Sequence, residues 1–328
     1  MFTTSSTLRR HSQRVIEPPP PQRSSAVWPL LDALWHDLQM SSSTHSHRVY
    51  QSFVAEPYTP NIGATLHGLD LSQPLSELAQ IELRAALAQF EVIFFRDQTL
   101  TPAQQVAFTR SFGQVNEVKA FFPRVESQPE IEVVESTAER PAANNNWHAD
   151  ITWQAHPPTG TSLYAQVIPA SGGDTVWASM TTAYEGLPAD FKAYLETLSA
   201  MHTWEVTGWT EYLLRQDATG EQLQAARAKY PPVTHPVVRV HPITGKKILY
   251  VNPTFTTHIH GLPRPQSDAL LAQLFGLITA PEVQARFRWQ PHSLAVWDNR
   301  STQHYAVADF YPQHRKLHRV TFTADQAF

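Results

Sequence analysis

The stretch Trp147-His148-Ala149-Asp150-Ile151-Thr152-Trp153 sets a geometric condition that the rest of the chain has to meet. In a β-strand, residues i and i+2 point to the same face, so the imidazole of His148 and the carboxylate of Asp150 converge on one point about 6 to 7 Å along the strand. A fold that uses both must deliver further groups to that point from distant parts of the sequence. Taken alone the pair is a weak signal, because His-x-Asp also occurs by chance as a solvated loop pair.

Composition decides which further groups are available. The 328 residues include no cysteine, 16 histidines and 29 acidic residues. Disulfides, thiolate metal sites and a cysteine nucleophile are thereby excluded, and only nitrogen and oxygen ligation remains. An imidazole and a carboxylate with one more histidine make the facial triad of non-haem Fe(II) enzymes, which leaves coordination positions open for a co-substrate and O2; Mn and Zn also suit such donors. The absence of cysteine is compatible with a reducing, cytoplasmic compartment. A net charge of −4 without long runs of one sign speaks against a nucleic-acid track or a polybasic membrane patch. No stretch approaches the roughly 20 apolar residues of a membrane span.

Residues 1–48 differ in composition from the rest of the chain. Arg9, Arg10 and Arg14 occur without an acid among the first 16 residues, and Pro18 to Pro21 form a polyproline stretch that cannot join a core. This segment reads as a disordered or peripheral extension, with organelle targeting as the alternative. Within it, Val27, Leu30, Leu31, Leu34, Trp35 and Leu38 share one face of a short amphipathic helix. Residues 49–328 read as one domain. Strands are expected at 62–66, 92–95, 161–168, 175–178, 294–297 and 316–323, with a hairpin pairing 236–241 with 247–252. Helices are expected at 78–88, 180–199, 211–229 and 267–277, and from Thr101, where Thr101, Pro102 and Gln104 form a capping box. Early strands, an inserted helical segment and closing strands predict a mainly β fold with helices. Its core would be a double-stranded β-helix, the jelly-roll of the cupins.

The third ligand of such a site belongs near the end of a late strand, and His304 in Trp297-Asp298-Asn299-Arg300-Ser301-Thr302-Gln303-His304 is the candidate. Beyond it stand Arg315 and Arg319. On a strand these share a face roughly 13 Å apart, with His318 and Val320 on the other. Two guanidiniums on one face imply two anionic partners if they are buried, and two solvated surface arginines if they are not.

From about Val49 to the C-terminus the sequence resembles the taurine dioxygenase (TauD/TfdA) family of Fe(II)/2-oxoglutarate-dependent dioxygenases. The resemblance is carried, in order, by Ile62-Gly63-Ala64 with Gly68-Leu69-Asp70-Leu71, Val92 through Gln98, Asn146 through Asp150, Gly172-Gly173-Asp174-Thr175, His235-Pro236-Val237-Val238-Arg239, and Trp297 through Arg319. It implies that His148, Asp150 and His304 bind Fe(II), that Arg315 assisted by Thr175 holds the distal carboxylate of 2-oxoglutarate, and that Arg319 holds the substrate anion. Asn144 and Phe255 match positions that line the substrate pocket, and the family's substrate-binding histidine falls near Lys119. It further implies hydroxylation of a small anionic substrate with O2, releasing succinate and CO2. For taurine or another alkanesulfonate the other products would be an aldehyde and sulfite. Alkyl sulfate esters and carboxylates are the alternative substrates, and a jelly-roll that binds a metal or an anion without turnover is the alternative class. Trp204, Trp209 and Phe255 are expected to keep the site dry. By analogy with relatives, a homodimer or tetramer is expected.

Overall fold

The computed structural model describes residues 49–116, 122–140 and 145–325. The N-terminal extension with its expected helix, Lys119 and Asn144 lie outside these residues.

The all-apolar run Val92–Phe95 is buried at every position and sits inside the largest sheet. It pairs in parallel with Ala64–His67 and antiparallel with Leu294–Asp298. The sheet continues through Gly160–Val167, Arg315–Thr323 and Gln128–Ser136 to Arg124–Val125. A smaller sheet of Gln284–Phe287, Thr175–Ser179 and Thr302–Ala306 faces it, and His148 extends that sheet by a single bridge to His304. Aromatic rings fill the space between. Phe94 of the large sheet stacks on Phe287 at 4.2 Å and meets Trp177 edge-on at 5.5 Å, contacts that hold the sheets together through shape as well as buried area. This is the jelly-roll that the sequence predicts.

Helices Glu77–Phe90 and Pro102–Thr109 cover the outer face of the large sheet, burying Leu83, Leu87 and Phe108 against Phe95 and Val296. The capping box is present: the Thr101 hydroxyl accepts from the Gln104 backbone, and the Gln104 side chain accepts from the Thr101 backbone. The expected helix 180–199 is instead two short ones, Met180–Glu185 and Ala189–Leu195. Pro188 between them has no N–H to continue the first and a φ suited to starting the second. The expected helix 211–229 likewise divides into Trp209–Gln216 and Glu221–Lys229. There the Asp217 carboxylate accepts from the backbone of Thr219 and Gln222, and Gly220 adopts a left-handed φ of 77°, so the turn satisfies the backbone groups that a continuous helix would have used. The hairpin forms, over Val238–Val240 and Lys247–Leu249. Val233–Pro236 pairs with Ser199–His202 in a separate sheet. No helix among the described residues is long and apolar enough to cross a membrane.

One buried acid lies where the layers meet. Glu91 ends the helix Glu77–Phe90, and its enclosed carboxyl is pushed by burial from 4.5 up to about 7, against the hydrogen bonds of Thr181 and Ser179 that lower it. A carboxyl whose folded-state pKa lies above its unfolded value stabilises the fold fully below the unfolded pKa, and that stability is lost as pH rises through the folded one. Glu91→Gln should therefore unfold at higher urea than the parent at alkaline pH, by up to about 3 kcal/mol, and show no such gain near pH 4. Parallel pH profiles for the two proteins would contradict this.

Candidate metal centre and anion sites

His148 and His304 are joined through their backbones, His148 N–H donating to the carbonyl of His304 at 3.0 Å and the reverse at 2.8 Å, which sets their rings 4.1 Å apart. Asp150 does not continue this pairing as a strand. It lies in a turn, where Ile151 takes a left-handed φ of 59°, and this turn, instead of the i, i+2 alternation expected from the sequence, aims its carboxylate inward. Asp150 Oδ1 ends 3.7 Å from His148 Nε2 and 4.0 Å from His304 Nε2. Ligand atoms of the three residues all lie within 4.8 Å of one another.

A β-branched residue in the left-handed region is strained by about 1–2 kcal/mol and persists only where its surroundings hold it. Asn299 supplies part of that hold. Its Oδ1 accepts from Asp150 N–H at 2.6 Å, and its Nδ2 donates to the carbonyl of Asp150 at 2.7 Å and of Pro158 at 3.1 Å. Thr152 Oγ1 accepts from Asn252 Nδ2 at 2.9 Å, and the ring of His235 donates to the carbonyls of Thr152 and Gln154 at 2.9 and 3.1 Å. The Thr161 hydroxyl donates to Asp150 Oδ2 at 2.8 Å, which leaves Oδ1 facing the imidazoles. The sequence assigns no role to any of these supporting residues, although Asn299 and His235 stand in stretches that carry the family resemblance.

The electrostatics suit a cation. His148 Nδ1 donates to the carbonyl of Asn146 at 2.8 Å, so Nε2 carries the lone pair that points at Asp150. Burial lowers the pKa of both imidazoles, that of His304 to about 3, so both are neutral at neutral pH and free to offer a lone pair to a cation. Burial alone would raise the Asp150 carboxyl. Arg319 foremost, with the Thr161 hydroxyl bonded to Oδ2, opposes it, and the group stays ionised, below its ordinary pKa. Two neutral nitrogens and one carboxylate oxygen, gathered at one point and braced from behind, fit a divalent transition metal.

Arg315 begins the strand Arg315–Thr323 and is 5% exposed. Its Nε donates to the carbonyl of Gly173 at 3.0 Å, and Nη2 lies 3.5 Å from Thr175 Oγ1, which also accepts from Trp289 Nε1 at 2.9 Å. Gly173 is required here by its φ of 72° and because a Cβ would sit 3.1 Å from Arg315 Cδ. No carboxylate among the described residues forms an ion pair with Arg315. Burial pulls its pKa down to about 10 against the opposing influence of Asp174. A buried fork of N–H donors without a carboxylate is a seat for an external one.

Arg319 is arranged otherwise. The sequence implies a guanidinium waiting for an anion, but Nε and Nη2 bind Glu132 Oε2 at 2.9 and 2.8 Å, and Nη1 lies 3.3 Å from Asp150 Oδ1. The ring of Phe122 covers the guanidinium at 4.6 Å and meets Trp209 edge-on at 5.4 Å. Phe255 stands edge-on to His148 at 6.2 Å, while Trp204 is fully buried in the cluster behind Phe255.

Comparison with known proteins bears directly on this constellation. Residues 55–321 match the model of the taurine catabolism dioxygenase TauD, TfdA family. The chain is 34% identical over 281 residues to an alpha-ketoglutarate-dependent sulfate ester dioxygenase of Pseudomonas putida, covering 82% of this chain and 89% of that one. It is 36% identical over 274 residues to an alkylsulfatase of Acinetobacter baylyi, covering 81% and 84%. A crystal structure of a taurine dioxygenase from Burkholderia xenovorans superposes with a TM-score of 0.72 at 34% identity, over 84% of this chain and 91% of that one.

Proposed function

This chain belongs to the TauD/TfdA family of alpha-ketoglutarate-dependent dioxygenases, and we propose that it hydroxylates a small organosulfur anion, an alkanesulfonate such as taurine or an alkyl sulfate ester, with Fe(II) held by His148, Asp150 and His304. The observation that carries the reading is the pairing of the triad with Arg315, a buried guanidinium that has no carboxylate partner among the described residues. When bound, iron and 2-oxoglutarate supply the oxidative chemistry, in which O2 and 2-oxoglutarate become succinate and CO2 as one oxygen atom enters the substrate C–H bond. The protein does the placing. Arg315 and Thr175 hold the distal carboxylate of 2-oxoglutarate, and Arg319 turns Nη1 toward the metal site to hold the substrate anion. Phe122, Trp209 and Phe255 exclude water around it. Hydroxylation of the carbon that bears a sulfonate gives an aldehyde and sulfite. At a sulfate ester it gives an aldehyde and sulfate. Resemblance to the sulfate ester dioxygenase and the alkylsulfatase supports the second substrate type beside the first.

Arg319→Ala separates the two arginines. Loss of one partner from a buried, hydrogen-bonded charge pair costs about 2–5 kcal/mol, so KM for the sulfonate or sulfate ester should rise at least about thirtyfold while KM for 2-oxoglutarate stays within about threefold. An equal rise in both would mean that the roles of Arg315 and Arg319 have been wrongly divided.

A further inference from the structure

Among the described residues, Glu132 is the acid beside the anion site that the proposed chemistry leaves without a task. Its side chain is 5% exposed and that of Arg319 11%. The two face each other across neighbouring strands, Arg319 of Arg315–Thr323 opposite Glu132 of Gln128–Ser136. Because Glu132 occupies the Nε and Nη2 edge and Phe122 covers a face, the guanidinium cannot present its two-pronged Nε edge to a substrate. What remains turned toward the metal site is Nη1, 3.3 Å from Asp150 Oδ1. Charge is as constrained as direction. The carboxylates of Asp150 and Glu132 cancel the guanidiniums of Arg315 and Arg319, and a divalent metal cancels doubly charged 2-oxoglutarate. Among the described groups, the loaded site is therefore neutral before substrate arrives. Among the described residues no formal cation is left over to match a negative charge that the substrate brings, which directed donors and proximity to the metal then hold. The cost of burying uncompensated charge grows with the square of that charge, and the carboxylate of Glu132 on the far edge of Arg319 adds repulsion against a second negative charge.

We infer that Glu132 is a specificity-determining positioning residue that restricts the anion site at Arg319 to singly charged tetrahedral head groups, sulfonate or sulfate ester, against doubly charged ones of the same shape such as a phosphate monoester. The inference rests on the assignment of Arg319 to the substrate. Glu132 acts by aiming the guanidinium and by neutralising it, and touches neither the metal nor 2-oxoglutarate.

Calorimetric titration of the protein loaded anaerobically with Fe(II) and 2-oxoglutarate tests this with pentyl sulfate and pentyl phosphate. These have nearly the same shape and differ by one charge at about pH 8, well above the second pKa of a phosphate monoester at roughly 6. The parent should bind the sulfate at least about tenfold more tightly, and Glu132→Gln, which keeps an acceptor for Arg319 and removes the charge, should bring the two within about threefold with 2-oxoglutarate affinity unchanged. A parent that binds both equally, or a tenfold preference that survives in Glu132→Gln, overturns the role of Glu132. Sulfate binding that persists in Arg319→Ala, or is absent from the parent, overturns the assignment of Arg319 instead, and Glu132 loses its role with it.

Discussion

Asp150→Ala is expected to lower metal affinity by more than about a hundredfold and to abolish metal-dependent formation of succinate. Changes to groups that merely support metal ligands cost roughly ten- to a hundredfold in affinity, and removal of a ligand should exceed that range. Asp150 is also the only carboxylate in the triad. Without it two neutral imidazoles remain, and Arg319, which stands 3.3 Å from Asp150 Oδ1, keeps its positive charge beside the cation site with Glu132 alone to offset it. The variant should nevertheless fold, because Asn299 holds the backbone N–H and carbonyl of residue 150 and not its side chain. The Glu132 ion pair likewise leaves Arg319 partnered. Calorimetric titration of the metal-free protein reads the affinity directly. Metal affinity within about threefold of the parent in a folded Asp150→Ala protein would remove Asp150 from the ligand set.

For Arg315→Leu, stability and binding should move in opposite directions. Truncating one partner of a buried charge pair costs about 2–5 kcal/mol of binding, so affinity for 2-oxoglutarate should fall by about thirtyfold to several thousandfold. The unliganded protein should keep or gain thermal stability, because the side chain removed is a buried charge without an ion-pair partner among the described residues, and an apolar replacement relieves its desolvation. Arg315→Lys should fall between. It restores the charge, but a single ammonium cannot reproduce the fork that meets a carboxylate with two parallel hydrogen bonds. The checks are calorimetry with 2-oxoglutarate and thermal unfolding without it. A destabilised Arg315→Leu protein with unchanged 2-oxoglutarate affinity would make Arg315 a structural residue.

Local chemistry decides the features that are legible in the sequence. The capping box at Thr101 forms because its two partners are three residues apart, and Val92–Phe95 is a buried strand because four apolar residues in succession suit the interior of a two-layer fold. His304 can be found because a third ligand on a late strand is what a jelly-roll with a metal site needs, and the structure does bring it to His148 and Asp150. Long-range partners are not legible. The turn that aims Asp150 depends on Asn299, 149 positions away, and the orientation of Arg319 on Glu132, 187 positions away. Cross-strand register decides the second contact and the meeting of two distant turns the first, and neither neighbourhood encodes them. The two broken helices are a different case. Pro188 and the Asp217-to-Gly220 turn are visible in the sequence, but apolar periodicity alone runs through them, and the breakers prevail because a proline or a satisfied turn removes the hydrogen bonds that periodicity presumes.

Turnover of 2-oxoglutarate at an iron held by His148, Asp150 and His304, coupled to an organosulfur anion, can be read in a single experiment. The most direct measurement loads the protein anaerobically with Fe(II) and 2-oxoglutarate, then admits O2 with each of a panel of sulfonates, alkyl sulfates and carboxylates while succinate, sulfite, sulfate and aldehyde are quantified together. Succinate and aldehyde should form in equal amounts, matched by sulfite for a sulfonate or by sulfate for a sulfate ester. Iron-loaded protein that yields no succinate above an iron-free control with any member of the panel would contradict the proposed turnover and leave a jelly-roll that binds a metal and an anion without it.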